Sequence, residues 1–260
     1  MTGSTDGVGK LTAILLAKDG HTLILHGRNL EKLNTTISEI KSETSNNNIH
    51  GYISDLSDFS TIETMTSQIE SDFSKIDVLI NNAGVFKSKQ QQNKNKLDLR
   101  FVVNYLAPYI LTNALIPLLK NSNAPRIINL SSAAQSSVSI DALRGNESIP
   151  EQQAYAQSKL ALTMWSFYIS KKIESIVTIA VNPGSLLNTR MVQEAYGHHW
   201  SSADKGANIL FELATSDAHK NASGKYFNND KGMYAKAHAD AYNTEKIEQL
   251  ISETEKILKQ

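Results

Sequence analysis

The chain has 260 residues, with 26 basic and 26 acidic side chains and no cysteine. That length suits one α/β domain, residues 1–260, with a sizeable core. Balanced charge offers no global field for nucleic acid or an anionic membrane, and the missing cysteine excludes disulfides, thiolate catalysis and cysteine-based zinc sites. No basic-then-apolar leader opens the chain. The most apolar run, residues 105–119, is shorter than the ~20 residues a bilayer needs. A soluble, cytoplasmic protein with no membrane or nucleic-acid partner is the expectation.

The sequence opens "MTGSTDGVGK", with Gly3, Gly7 and Gly9 spaced G-x3-G-x-G. Glycines let a backbone turn sharply and approach a pyrophosphate closely. A helix beginning near Val8 would aim its free N–H groups and positive dipole end at the phosphates. Asp6 inside this loop adds a negative charge that opposes them. "GKLTAILLAKDG" continues the helix to a stop at Gly20. After the strand "HTLIL" comes Arg28, where a dinucleotide fold carries an acid to grip a ribose 2′-hydroxyl or an arginine to accept a 2′-phosphate. The absence of an acid there favours NADP over NAD, with Lys10 and Lys32 as assistants.

Further strands are expected at residues 50–54, 76–81, 126–130, 176–181 and 225–227, short and mostly rich in Ile, Val and Leu as doubly buried strands are. Between them lie helical patterns, including a long one around "YLAPYILTNALIPLL" with a kink at Pro108. Residues 87–96 and 136–153 are loops. The last helix sets Ile247, Leu250, Ile251, Ile257 and Leu258 on one face. Strand–helix alternation implies a Rossmann-type, doubly wound parallel sheet with helices on both faces.

In "YAQSK", Tyr155 and Lys159 are spaced i, i+4 and share a helical face. A neighbouring ammonium favours the phenolate, which makes the pair a plausible proton donor to a carbonyl near neutral pH. The adjacent His198 and His199 cannot face one ligand, so no metal site is expected. Met191, Tyr196 and Trp200 are candidates to line a substrate pocket, and Trp165 and Phe167 for core or subunit interface.

Taken singly, these motifs also fit an ordinary turn, an exposed arginine and a surface pair. Together, "TGSTDGVG", "SDLSD", "NNAG", "VVNYLAP", "IINLSS", "YAQSK" and "NPGSLLNT" stand in one order along nearly the whole chain. In that order the chain resembles the short-chain dehydrogenase/reductases. "GRNLEKL", "LRFVVNYLAPYILT", "NPGSLLNTRM" and "GKYFNND" are most similar to the retinol-dehydrogenase-like branch.

The resemblance implies an NADP(H)-dependent oxidoreductase that interconverts an alcohol and a carbonyl on a small-molecule substrate, small to medium in size and largely apolar. It implies Tyr155 as general acid or base and Lys159 as the group that lowers its pKa and holds the nicotinamide ribose. Ser132, in preference to its neighbour Ser131, would polarise the carbonyl, and Asn104 would bind a relay water. For the cofactor it implies Gly3, Ser4, Thr5, Gly7, Val8 and Gly9 at the phosphates, Arg28 at the 2′-phosphate, and Asp55 and Leu56 flanking the adenine. Asn82, Ala83 and Gly84 would line it at the sheet edge, with Pro183, Gly184 and Thr189 at the nicotinamide end. Homodimers or homotetramers are the family's usual assemblies, and no interface signature distinguishes them here. The alternatives are a nucleotide-binding regulatory protein and an inactive truncated copy.

Two departures stand out. Thr189 lies five residues beyond Gly184, one more than usual for the family. In addition, the family's first strand, central in the sheet order 3-2-1-4-5-6-7, is reduced to Met1. Its two neighbours would then lose hydrogen-bond partners, and Gly3 and Gly7 their anchor. The reading favours a protein that starts upstream, over a gap filled by other chain or a degenerate copy.

Overall fold

The computed structural model describes residues 1–259, without the side chains of residues 195 and 196. Six short strands run parallel: β1 (Leu23–Gly27), β2 (Ile49–Ile53), β3 (Val78–Asn81), β4 (Arg126–Leu130), β5 (Val177–Asn182) and β6 (Lys225–Asn228). A seventh, β7 (Met233–Ala235), closes the edge antiparallel to β6. The sequence reading has no counterpart for it, because three residues are too few to show an alternation. The strands form two sheets, β1-β2 and β3-β4-β5-β6-β7.

Helices cover both faces because consecutive strand residues point to opposite sides. Ile80, Ile128 and Ile179 pack with Val8, Ala13 and Leu16 of α1 (Gly7–Lys18), with Leu33 of α2 (Leu30–Thr44), and with residues 209–213. Their neighbours Leu79 and Ile127 pack on the other side with Ile62 and Met65 of α3 (Phe59–Asp72) and with Leu111 and Leu115.

The long apolar helix is built in three pieces: α4 (Leu99–Phe101), a π-helical turn (Val102–Leu106) and α5 (Ala107–Lys120). Pro108 has no N–H to give the carbonyl of Asn104, so the regular i→i−4 ladder cannot pass through. The expected kink is therefore a π bulge, and it carries Asn104. The whole run is 22 residues and apolar enough, by length and composition alone, to cross a membrane, but 61% of its apolar window is buried in the protein. Its apolar face is spent on the core.

Three further long helices complete the layers: α7 (Glu151–Lys172), α9 (Ala203–Thr215) and α10 (Thr244–Leu258), with short α6 (Ile140–Leu143) and α8 (Arg190–Tyr196) between them. Ile247, Leu250, Ile251 and Ile257 of α10 pack in one cluster with Trp165 and Phe167 of α7. α10 is tied further by a hydrogen bond between Thr254 and Tyr105 of the π-helical turn, and by an ion pair between Glu253 and Arg144 at the end of α6. Trp165 and Phe167 are thus core residues, at 1% and 5% exposure.

Between β1 and β3 lies the segment Met1–Ser4. Thr2 N–H donates to Ile80 O at 3.0 Å on one side. On the other, Ser4 N–H donates to His26 O at 2.9 Å, His26 N–H to Met1 O at 3.2 Å, and the Met1 amine to Ile24 O at 2.7 Å. These four residues bridge the two sheets and anchor the glycine loop. The expectation that Gly3 and Gly7 lose their anchor is corrected to that extent.

Candidate active site

The loop after Ser4 is shaped by its glycines. Gly3 and Gly7 have φ of +65° and +49°, and a Cβ at Gly9 would lie 2.1 Å from Gly3 O and 2.5 Å from Asn82 Nδ2. Asn82 Nδ2 donates to both Thr2 O and Gly3 O at 2.9 Å, while Thr2 Oγ1 accepts from Asn82 and Ala83 N–H. The loop and the end of β3 are therefore one rigid unit. Ser4 is fully buried and donates to Met1 O, a structural position. Thr5 packs its methyl group on Gly27, where a Cβ would come within 2.8 Å. Val8 is buried against Gly206. Asp6 caps α1 by accepting from Gly7 N–H.

His26 is a residue the sequence reading passed over. Its Nδ1 accepts from Gly3 N–H at 3.1 Å, so its Nε2 carries the proton, donated to Ser54 O at 2.9 Å. Burial pushes its pKa down to about 4, so the ring stays neutral and keeps this tautomer. It locks the glycine loop to the end of β2. The one available signal was a histidine inside an apolar strand.

Arg28 follows directly on β1 and is exposed. The Asp55 carboxylate folds onto Ser57, accepting from its N–H and hydroxyl at 2.9 and 2.8 Å. Leu56 is buried in the core cluster with Tyr52 and Ile62.

Asn104, Lys159 and Met191 meet at Gly84. A Cβ there would lie 3.3 Å from Asn104 Oδ1, 3.5 Å from Lys159 Nζ and 3.5 Å from Met191 Cε. The Asn104 amide is fully engaged, accepting from Val85 N–H and donating to Val85 O and Ser158 Oγ. The Lys159 ammonium is buried and donates to Leu130 O at 2.6 Å, and burial pushes its pKa down to about 8. It stands 5.7 Å from the centroid of the Tyr155 ring, and Phe86 packs on the same ring with centroids 4.7 Å apart.

The two serines after β4 differ. Ser131 Oγ is buried and bonded to Lys159 O and Thr163 Oγ1. Ser132 is half-buried, and its Oγ accepts from Ala134 N–H. Its backbone is held by two donors the sequence reading missed: Tyr226 Oη at 2.9 Å and Gln135 Nε2 at 3.0 Å, both to Ser132 O.

Pro183 and Gly184 form the turn after β5. Asp230 holds it, accepting from Ser185 N–H, Ser185 Oγ and Asn182 Nδ2, while Asn229 donates to Pro183 O. In the sequence, Asn229 and Asp230 carry no signal beyond closing the run "GKYFNND". Thr189 caps α8, and its methyl lies 3.3 Å from where a Gly7 Cβ would be. Leu186, between Gly184 and Thr189, adopts a left-handed φ of +47°. Thr189 therefore reaches the glycine loop despite its spacing. Met191 faces the site, Trp200 is 76% exposed, and the side chain of Tyr196 lies outside the described residues.

Residues 1–199 match the family model described as short chain dehydrogenase. The chain belongs to that family. It is 32% identical to human retinol dehydrogenase 13, across 95% of this chain and 80% of that one. It is 30% identical to human polyprenol dehydrogenase, across 89% and 76%. Among solved structures, a putative short chain dehydrogenase from Escherichia coli CFT073 complexed with NADPH is similar, with 26% identity, a TM-score of 0.74 and coverage of 88% and 94%. The protein is thus a short-chain dehydrogenase of the retinol-dehydrogenase-like branch, an NAD(P)-dependent oxidoreductase acting on an alcohol/carbonyl pair. The glycine loop fits such a dinucleotide, since Gly3 and Gly7 hold left-handed turns that lead a backbone without side chains at those two positions straight into the N-terminus of α1.

Proposed function

We propose that the protein is an NADP(H)-dependent enzyme that interconverts a largely apolar alcohol and its carbonyl, with Tyr155 as general acid and base. The observation that carries this reading is the buried Lys159 ammonium, held on Leu130 O beside Gly84 and 5.7 Å from the Tyr155 ring. Gly3, Gly7, Val8 and Gly9 would hold the pyrophosphate and Arg28 the 2′-phosphate. Asn82, Ala83, Gly84, Pro183, Gly184 and Thr189 would hold the nicotinamide half. Asp55 would border the adenine, and Leu56 would act there through its backbone. When bound, the nicotinamide supplies or takes up the hydride.

In the reducing direction, Tyr155 Oη gives its proton to the carbonyl oxygen, and positive charge on Lys159 stabilises the phenolate left behind. Ser132 Oγ, accepting from Ala134 N–H, keeps its own hydrogen to donate to the same oxygen. Tyr155 is reprotonated by way of Lys159 and a water. The Asn104 amide is already spent on Val85 and Ser158, so its main-chain carbonyl, which Pro108 leaves without an i+4 donor, is the group that would hold that water. Oxidation runs the same steps in reverse. Met191 and Phe86 give the site apolar walls beside Gly84 and Tyr155, which suits an apolar substrate.

The test is a fluorescence titration with NADPH and NADH, followed by a screen of apolar aldehydes and ketones. NADPH should bind well ahead of NADH, and Tyr155→Phe should bind NADPH normally while losing turnover. Turnover retained by Tyr155→Phe would overturn the assignment.

A further inference from the structure

Asp6 is the one charged residue of the glycine loop, and its contacts set it against the cofactor that the loop would hold. Its Oδ1 accepts from Gly7 N–H at 2.8 Å, using a donor of the phosphate cradle. Its Oδ2 accepts from Lys32 Nζ at 2.6 Å. Lys32 lies in the first turn of α2, four residues beyond Arg28, on the side where a 2′-phosphate would arrive. One carboxylate thereby occupies part of the pyrophosphate site and a cation of the 2′-phosphate site. Burial works to raise the Asp6 pKa, but Lys32, Gly7 N–H and the charge of Arg190 outweigh it and hold the carboxyl below its ordinary value. The group is an anion at neutral pH. The other nearby ammonium, Lys10, is held by Glu39 at 2.5 Å.

We propose that Asp6 is a specificity-determining residue that keeps Lys32 in reserve. It weakens dinucleotide binding in general, and it narrows the margin by which NADP(H) is preferred over NAD(H). This rests on the reading of the loop as a dinucleotide site. Arg28 and Lys32 bring two positive charges to the 2′-phosphate, and Asp6 cancels one of them. An exposed pair of this kind is weak, so Lys32 can leave Asp6 for a doubly charged phosphate. Asp6 then stands unpaired beside both phosphate groups.

The experiment titrates the full chain, Asp6→Asn, Lys32→Met and the double variant with NADPH and NADH, following nucleotide fluorescence and thermal unfolding. Asparagine is also a good N-cap, so α1 keeps its first turn while the charge is lost. Asp6→Asn should tighten NADPH binding about tenfold and NADH binding about threefold, as expected for removing a charge near one or two phosphate groups. In the Lys32→Met background the excess of the NADPH gain over the NADH gain should shrink, because no ammonium is left for Asp6 to withhold. NADPH affinity unchanged or weaker in Asp6→Asn, or an NADPH excess that is the same with and without Lys32, would overturn the proposal. Failure of every folded variant to bind either nucleotide would instead overturn the dinucleotide site itself, and the role of Asp6 with it.

Discussion

Lys159 Nζ donates to the carbonyl oxygen of Leu130 at 2.6 Å, which ties the middle of α7 to the carboxyl end of β4. The bond holds a buried ammonium where both the Tyr155 ring and Gly84 are in reach. Burial costs the charged form most, and the Lys159 pKa falls from 10.5 to about 8.

A pH dependence follows from that shift. Below about pH 8 both folded and unfolded chains carry the proton, and the burial penalty is fully present. Between about 8 and 10.5 the unfolded chain binds more protons, so the contribution of Lys159 to stability rises with pH. Under the proposed mechanism activity should run the other way, because the charge that would stabilise a Tyr155 phenolate is lost. Carbonyl reduction should decline above pH 8, and Lys159→Met should lose about 100- to 1,000-fold in kcat at pH 7. Steady-state profiles from pH 6 to 10 check both, and a flat profile would remove Lys159 from the chemistry.

Tyr226→Phe removes one of two donors to Ser132 O. The hydroxyl is worth about 1 kcal/mol, so kcat should fall about fivefold through loosened placement of Ser132. NADPH affinity should stay the same, because the hydroxyl that is removed bonds to the serine loop. A KM-against-kcat comparison separates this from general destabilisation.

Asp230→Ala frees the Pro183–Gly184 turn from three donated hydrogen bonds. The expected result is about a tenfold rise in the KM for NADPH, with a smaller change in the Kd of fragments carrying only the adenine half. Equal weakening of both halves would mean that Asp230 serves the fold and not the turn.

Gly9→Ala puts a methyl 2.1 Å from Gly3 O and 2.5 Å from Asn82 Nδ2. Both contacts belong to the unit that joins the glycine loop to β3, so the backbone itself must move. Stability should fall by about 1–3 kcal/mol, and nucleotide binding should be lost. Denaturant unfolding and the NADPH titration read the two effects separately.

Much of the fold was legible because local pattern governs it. The strand at residues 126–130 matched its expected span, and the apolar face of α10 was read from Ile247, Leu250, Ile251 and Ile257. β7 was invisible, since pairing with β6 and not composition makes three residues a strand. At the site, the motif residues were found because each is a chemical type at a fixed spacing. His26, Tyr226 and Asp230 were not, because each acts on a backbone group more than 20 residues away.

The sequence by itself determined the alternation of strands and helices, the glycine loop, the Tyr155–Lys159 pair and the family. These depend on side-chain type and on distances of a few residues along the chain. Only the tertiary structure decided how the glycine loop is anchored, which serine is left half-exposed, and that Asp6 holds Lys32. Each of these depends on which hydrogen-bonding and charged groups meet across the sheet once the core has packed. A buried donor or charge must find a partner wherever the fold brings one.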